Sequence, residues 1–384
     1  MAGAVVGLLW ANLHHASYES LLHVKLLTNS FIGEVAESGT RVINLHFVVN
    51  EILMAFFFAL AGREVWSAFL PGGPLNRPRQ AAMPILCTLG GMAGPAIVYI
   101  AGAAILGRWQ ELHHGWAIPC ATDIAFSYMI ARLIFGRQHP AIAFLLLLAI
   151  ADDALGMAVL AIFYPSHEVQ LAWLLLSVAA IGFGFLFQRL RVHGFLWYLA
   201  FPGLLSWLGF ALAGLHPALG LLPIVPAIPH VRIHKEHQGW DILRLGDRRG
   251  QMEYWLKNPV EVALGLFSLF NAGVVLSNVG TPTLLVCASL MLGKPLGIFL
   301  TGLLGLKLLA LKLADGLTLR ALWVIGCIAG IGFTVAMFVA TVAFAPGPVQ
   351  DAAKMGCLAS FVAAIVAYTM ARFLGIRRNT AAHE

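Results

Sequence analysis

Charge is what this sequence of 384 residues has least of: Asp, Glu, Lys and Arg together make up 11%, against about 25% in an ordinary globular chain. So few charges cannot cover the surface of a water-soluble fold of this size. Cysteine is sparse too, with five residues in all. Cys87, Cys120, Cys287, Cys327 and Cys357 each fall within an apolar stretch, where a thiol behaves as a small hydrophobe, so no disulfide framework is expected. The run from 1 to 13 lacks the basic n-region of a cleavable signal. There is no low-complexity tract and no long polar stretch that could form a soluble domain. The 24 Lys and Arg exceed the 18 Asp and Glu by a net +6, but they are scattered among short connections without interleaved aromatics, so nucleic acid is not an expected partner. The pairs His14-His15 and His113-His114 have no Cys or carboxylate at ligand spacing, which argues against zinc. No cofactor is expected.

Apolar residues supply 60% of the chain. A membrane span needs about 20 of them in sequence. Twelve runs qualify, at roughly 1 to 13, 42 to 62, 81 to 106, 115 to 135, 140 to 163, 169 to 187, 195 to 213, 215 to 228, 259 to 276, 281 to 305, 319 to 345 and 352 to 374. The first and eighth are short. The pattern predicts an all-α polytopic membrane protein of about twelve helices, one transmembrane domain from 1 to 384. With both termini in the cytoplasm, nineteen of the 24 Lys and Arg lie in inside connections and only Lys25, Arg41, Arg108 and Lys354 lie outside, as the positive-inside rule requires. A basic connection at 229–258 separates spans eight and nine, and 14–41 is an external segment suited to a small hairpin, with Gly33 and Gly39 as turn residues.

Five ionisable residues fall well inside spans: Glu51, Asp123, Asp152, Asp153 and Lys294. Each costs about 2.5–3.5 kcal/mol at the bilayer centre, so they must face one another or a water-filled cavity. Four carboxylates against one cation leave an excess of negative charge, which favours a cation site over a structural ion pair. Asp152 and Asp153 are adjacent and project about 100° apart on a helix, so one is expected to line a cavity and the other to face a neighbouring helix. Lys294, in Gly293-Lys294-Pro295-Leu296-Gly297, is the intramembrane cation available to them. Pro119 and the pair Thr122-Asp123 predict an interruption in the fourth span, since proline removes a donor and the Thr and Asp side chains can accept from freed amides. The run from Gly326 to Thr334, with Gly330 and Gly332, predicts a second in the eleventh, or else a glycine packing face. Two interrupted segments at corresponding places of two halves point to a transporter site between inverted three-helix repeats, spans three to five and ten to twelve.

In these motifs the chain resembles the NhaA-type bacterial Na+/H+ antiporters over nearly its whole length. The resemblance rests on Thr122-Asp123-Ile124-Ala125-Phe126, the Asp152-Asp153 pair, Gly293-Lys294-Pro295-Leu296-Gly297-Ile298 and Gly330-Ile331-Gly332-Phe333-Thr334. Asn50-Glu51 thirteen residues before Glu64, Leu215-His216 and Met252-Glu253 agree as well. It implies Na+ and proton binding at Asp123 and Asp153, with Thr122 at the same site beside the mid-membrane crossing of the two interrupted helices. It also implies Asp152 paired with Lys294, and a cytoplasmic-side network of Glu64, His216 and Glu253 that tunes the response to pH. Placement in the cytoplasmic (inner) membrane, surrounded by lipid, follows from the same likeness. Arg63 and Trp66 flank Glu64 where the family more often has an apolar residue and a lysine, and Ala151 replaces an isoleucine before the aspartate pair. A segment usual before the first span is lacking, so a misassigned start is expected.

Sodium prefers oxygen ligands, which carboxylates, hydroxyls and carbonyls supply. Two like charges in a poorly hydrated cavity are relieved either by sodium or by protons, so one site holds each in turn. Alternating exposure, by rocking one repeat bundle against the other, then exchanges cytoplasmic Na+, with Li+ as a second cargo, for external H+. Two protons for one Na+ makes the cycle electrogenic, and Lys294 or Asp152 could carry one of them. A sodium-coupled solute symporter on a similar scaffold is the alternative. An intramembrane aspartyl protease would need a Gly-x-Gly-Asp context, whereas the sole Gly-Asp is Gly246-Asp247 in a charged loop. The oligomeric state, a homodimer included, is left open by the sequence.

Overall fold

The computed structural model describes residues 1–29, 31–35, 41–76, 78–192, 194–229 and 251–376. Most of the basic connection expected at 229–258 lies outside the described residues, and so does the side chain of Glu253. Apolar runs without internal charge fold as helices because only a helix satisfies every backbone group within its own segment in hydrocarbon. Helices α1 (Ala2–Leu13) and α2 (His15–Leu22) are followed by strands β1 (Lys25–Asn29), β2 (Glu34–Val35) and β3 (Arg41–Asn44). The strands form an antiparallel sheet in the order β1-β3-β2, with Thr28 opposite Val42 and Asn29 opposite Arg41. The hairpin expected at 14–41 is therefore a helix and a three-stranded sheet. The second span begins at Leu45, three residues later than the apolar run suggested, because residues 42–44 pair with both other strands and the Asn44 side chain caps the helix by accepting from the Phe47 N–H at 2.7 Å.

From there the regular elements among the described residues are helices: α3 (Leu45–Phe69), α4 (Pro78–Ile105), α5 (Trp109–Cys120), α6 (Ile124–Phe135), α7 (Pro140–Phe163), α8 (Leu171–Arg189), α9 (Phe195–Ala213), α10 (Pro217–Ala227), α11 (Gln251–Asn271), α12 (Thr281–Lys307), α13 (Leu319–Ala329), α14 (Thr334–Ala343) and α15 (Pro348–Phe373). Seven of these, α3, α4, α7, α8, α9, α12 and α15, are long and apolar enough to cross a membrane. The interruptions expected in the fourth and eleventh spans are present. Helices α5 and α6 meet at 53° across residues 121–123, and α13 and α14 meet at 50° across 330–333. Two helices carry a wider π turn at a point of interest: Val48–Leu53 in α3, around Asn50 and Glu51, and Ser289–Gly293 in α12, directly before Lys294. Such turns often mark functional positions.

The chain forms two compact units, Met1–Trp66 with Leu160–Gly273, and Ser67–Val159 with Val274–Glu384. The first packs Ala55, Ala59, Tyr198, Ile224, Met252 and Leu256 into its core. In it α3 and α10 run parallel: Glu51 meets the start of α10, and Arg63 donates to the Pro229 carbonyl just beyond its end at 3.4 Å. The sheet and the segments 164–170 and 214–216 meet at the Glu51 end. There Ser166 N–H donates to the Gly214 carbonyl, and Arg41 lies 3.5 Å from His167. Burial, then the neighbouring Arg41 and His216, hold His167 below the usual imidazole range. The Lys and Arg alternation assigned all three of these connections to one side.

The second unit holds both bent pairs. Its core gathers Phe135, Leu145, Leu148, Ile298, Leu322, Ile325 and Ile328. Lys354, expected in an external connection, is buried within α15. Helices α4 and α12 touch backbone to backbone along Gly90, Gly94, Gly293 and Gly297: a methyl at Gly94 would collide with the Gly293 carbonyl, and one at Gly297 with the Gly90 carbonyl. Glycine permits this approach because lipid gives helices little reason to associate other than close packing. Valine at Gly94 or Gly297 should destabilise the protein by about 1–3 kcal/mol, the usual overpacking penalty. Alanine at Gly182, exposed with nothing within 4 Å, should cause no loss. Thermal unfolding of the three purified variants checks this.

Candidate functional site

Each bend strands backbone groups at both half-helix ends, and the surrounding side chains answer them. Asp123 is the N-cap of α6, its Oδ1 accepting from the Phe126 N–H at 3.2 Å. Its Oδ2 accepts from the first residue of α14, from the Thr334 N–H at 3.2 Å and the Thr334 hydroxyl at 2.7 Å. One carboxylate thus faces two helix N-termini, where backbone dipoles favour negative charge. The two breaks touch directly: the Asp123 N–H donates to the Ile331 carbonyl at 2.8 Å.

The C-terminal half-helix ends are met by donors. The Lys294 ammonium donates to the Cys120 carbonyl at the end of α5 and to Asp152 Oδ2 at 2.8 Å. At the end of α13 the Ala329 carbonyl lies 3.2 Å from the Thr122 hydroxyl, and the Ile328 carbonyl accepts from Ser127 at 3.2 Å. The closest partner of the Thr122 hydroxyl is Asp152 Oδ2, at 2.7 Å. Asp152 and Lys294 are 2% and 0% exposed, and such a pair persists only when matched. Asp152 Oδ1 has no hydrogen-bond partner among the described residues. Asp153 is less buried than Asp152.

Asp123, Asp152, Asp153, Lys294, Thr122, Gly330, Gly332 and Thr334 therefore belong to one unit. The two glycines lie in the break, while Thr334 opens α14. Glu51 belongs to the other unit. Its Oε2 accepts from the Ala218 N–H at 3.0 Å, and its Oε1 lies 3.5 Å from His216 Nδ1, which also lies 3.1 Å from the Ser166 hydroxyl. The structure does not bring His216 and Glu64 together. His216 sits beside Glu51, and Glu64 follows thirteen residues later in α3, about 20 Å away at about 1.5 Å per residue. Next to Glu51, Asn271 donates to Asn50 at 2.7 Å and Asn50 lies 2.7 Å from His46.

The family model described as Na+/H+ antiporter 1 matches residues 1–371. The chain belongs to this antiporter family. Among its relatives is a protein named Na(+)/H(+) antiporter NhaA from Jannaschia sp. (strain CCS1), 48% identical over 99% of this chain and 96% of that protein. One of the same name from Geobacter sulfurreducens is 43% identical over 98% and 96%. A solved structure of the sodium proton antiporter MjNhaP1 from Methanocaldococcus jannaschii superposes with a TM-score of 0.58 over 97% of this chain and 91% of that one, at 15% identity. That likeness concerns the fold.

Two polar members of this antiporter's crossing, Ser127 and Ser360, escaped the sequence reading. Ser127 carries a usable signal, four residues after Asp123 and so on the same helix face. Ser360, whose hydroxyl accepts from the Gly332 N–H, carries none: a serine in an apolar run normally bonds a carbonyl of its own helix. If Lys294 chiefly balances Asp152 and the Cys120 carbonyl, Lys294→Ala should cost about 3–5 kcal/mol by leaving a carboxylate buried alone. Asp152→Asn with Lys294→Gln should recover much of that loss. Thermal midpoints of the singles and the double decide it, and additive destabilisation would refute the pairing.

Proposed function

We propose that the protein exchanges cytoplasmic Na+ for external H+ across a bacterial inner membrane, with Li+ as a second cargo. About twelve spans are proposed, with both termini cytoplasmic: the seven long helices, the two bent pairs, and α1, α10 and α11. The orders α4, α5–α6, α7 and α12, α13–α14, α15 each read as span, bent pair, span, which supports two inverted three-helix repeats. The observation that carries the reading is the crossing itself, where two half-helix N-termini converge on Asp123 beside a carboxylate pair with one ammonium. Three carboxylates against one cation leave negative charge that a small cation or protons can balance.

In this reading Asp153, the more exposed of the pair, takes the cargo with Asp123. Asp152 remains tied to Lys294 and Thr122. Thr122 then contributes by fixing Asp152 rather than as a ligand. Sodium and protons compete for the same oxygens, and a two-sided opening of the site couples their opposite flows. Neutralisation by two protons in place of one Na+ makes the exchange electrogenic. The pH response is assigned to two separate groups, His216 with Glu51 at one end of the first unit, and Glu64 with Glu253 towards the other. Histidine is the side chain whose charge changes nearest neutrality.

Reconstituted vesicles with a pH-sensitive dye, challenged in turn with Na+, Li+ and K+ and without organic solute, test this. Wild type should move protons on addition of Na+ and Li+. Asp153→Asn should abolish the signal while inserting normally, because removing a charge eases insertion. Near-normal exchange by the inserted variant, or a requirement for an organic solute, would overturn the assignment in favour of other carboxylates or a symporter.

A further inference from the structure

One peptide unit in the second break is held from both sides. The Ile331 carbonyl accepts from the Asp123 N–H at 2.8 Å, and the Gly332 N–H of the same peptide donates to the Ser360 hydroxyl at 3.2 Å. In a planar trans peptide these two groups point in opposite directions, so the plane links Asp123 to α15 as a rigid bar. Ser360 is 0% exposed, and its hydroxyl donates onward to the Cys357 carbonyl at 2.6 Å. With its proton committed there, the oxygen offers its lone pairs to Gly332. A hydroxyl that only relieved its own helix would need no such second partner.

The neighbouring side chain works on the same parts. The Phe361 ring lies 4.9 Å from that of Phe333 and 5.0 Å from that of Phe126, which are themselves 5.9 Å apart. Phe126 supplies the N–H that caps Asp123 Oδ1, and Phe333 precedes the Thr334 that caps Oδ2. Ser360 and Phe361 sit at a turn within α15, between the regular segments Pro348–Ala359 and Val362–Phe373. The last span therefore touches each of the arms that hold Asp123 without touching Asp123 in any contact described above.

We propose that Ser360 is a positioning residue of the ion site: through the Ile331–Gly332 peptide it fixes the backbone, and hence the carboxylate, of Asp123, while Phe361 locks the two capping arms. The proposal rests on the ion site lying at Asp123 and Asp153. Loss of the hydroxyl removes one buried atom but frees the Gly332 peptide to rotate. The consequence is a site of poorer geometry rather than a slower conformational cycle.

The test is sodium-dependent proton flux in vesicles containing wild type, Ser360→Ala, Ser360→Thr or Asp153→Asn, with thermal midpoints to monitor folding. Ser360→Ala should raise the half-saturating Na+ concentration about three- to tenfold, the range of one hydrogen bond, with the maximal rate near wild type. Ser360→Thr, which keeps the acceptor, should restore the half-saturation value. An unchanged half-saturation in folded Ser360→Ala, or an equal fall of maximal rate in both variants with no shift in half-saturation, would overturn the proposal. If Asp153→Asn abolishes flux while Ser360→Ala behaves as wild type, this inference alone fails. If Asp153→Asn exchanges normally, the ion-site reading fails first.

Discussion

A helix broken in hydrocarbon leaves N–H and C=O groups that water cannot reach, and each costs several kcal/mol unless something else bonds it. Two such breaks lie against each other here, and a set of polar residues of the second unit is arranged around them. Asp123 serves the two half-helices that begin at the crossing, and Lys294, Thr122 and Ser127 serve the two that end there. The Asp123–Ile331 backbone bond closes one break on the other. Asp123, which makes both beginnings tolerable, is also one of the two carboxylates proposed to handle the cargo.

That double duty explains why the charges are placed unevenly. Asp152 and Lys294 neutralise each other in full burial. Asp123 is held by three donors, the Phe126 and Thr334 N–H groups and the Thr334 hydroxyl. Asp153 is less buried than its neighbour, which suits a carboxylate proposed to exchange its partner during each cycle. The glycine seam between α4 and α12 supports this set from behind, since it brings the helix carrying Lys294 into backbone contact with α4.

Much of this was legible in the sequence because burial in lipid is so restrictive. A carboxylate or an ammonium in an apolar run has few explanations, so Asp123, Asp152, Asp153 and Lys294 stood out, and proline and glycine beside them marked both breaks. Other features were hidden for physical reasons. Glu51 looked equivalent to the other intramembrane acids, yet its partners, Ala218 and His216, come from a distant stretch that no local pattern connects. Residues 42–44 are apolar enough for a span and became a strand because β1 and β2 supply partners. Lys354 sits near a loop in the sequence but within a helix in space. Ser360 was invisible because its role depends on an amide twenty-eight positions away.

A site that holds sodium and protons in turn must release protons when sodium enters. Calorimetric titration of Na+ into the purified protein, in buffers of differing ionisation heat, counts the protons set free per ion bound. Proton release with every Na+, approaching two as the starting pH is lowered, and a Na+ affinity that weakens with that same pH change, is the predicted result. Sodium binding with no proton release at any pH would contradict it.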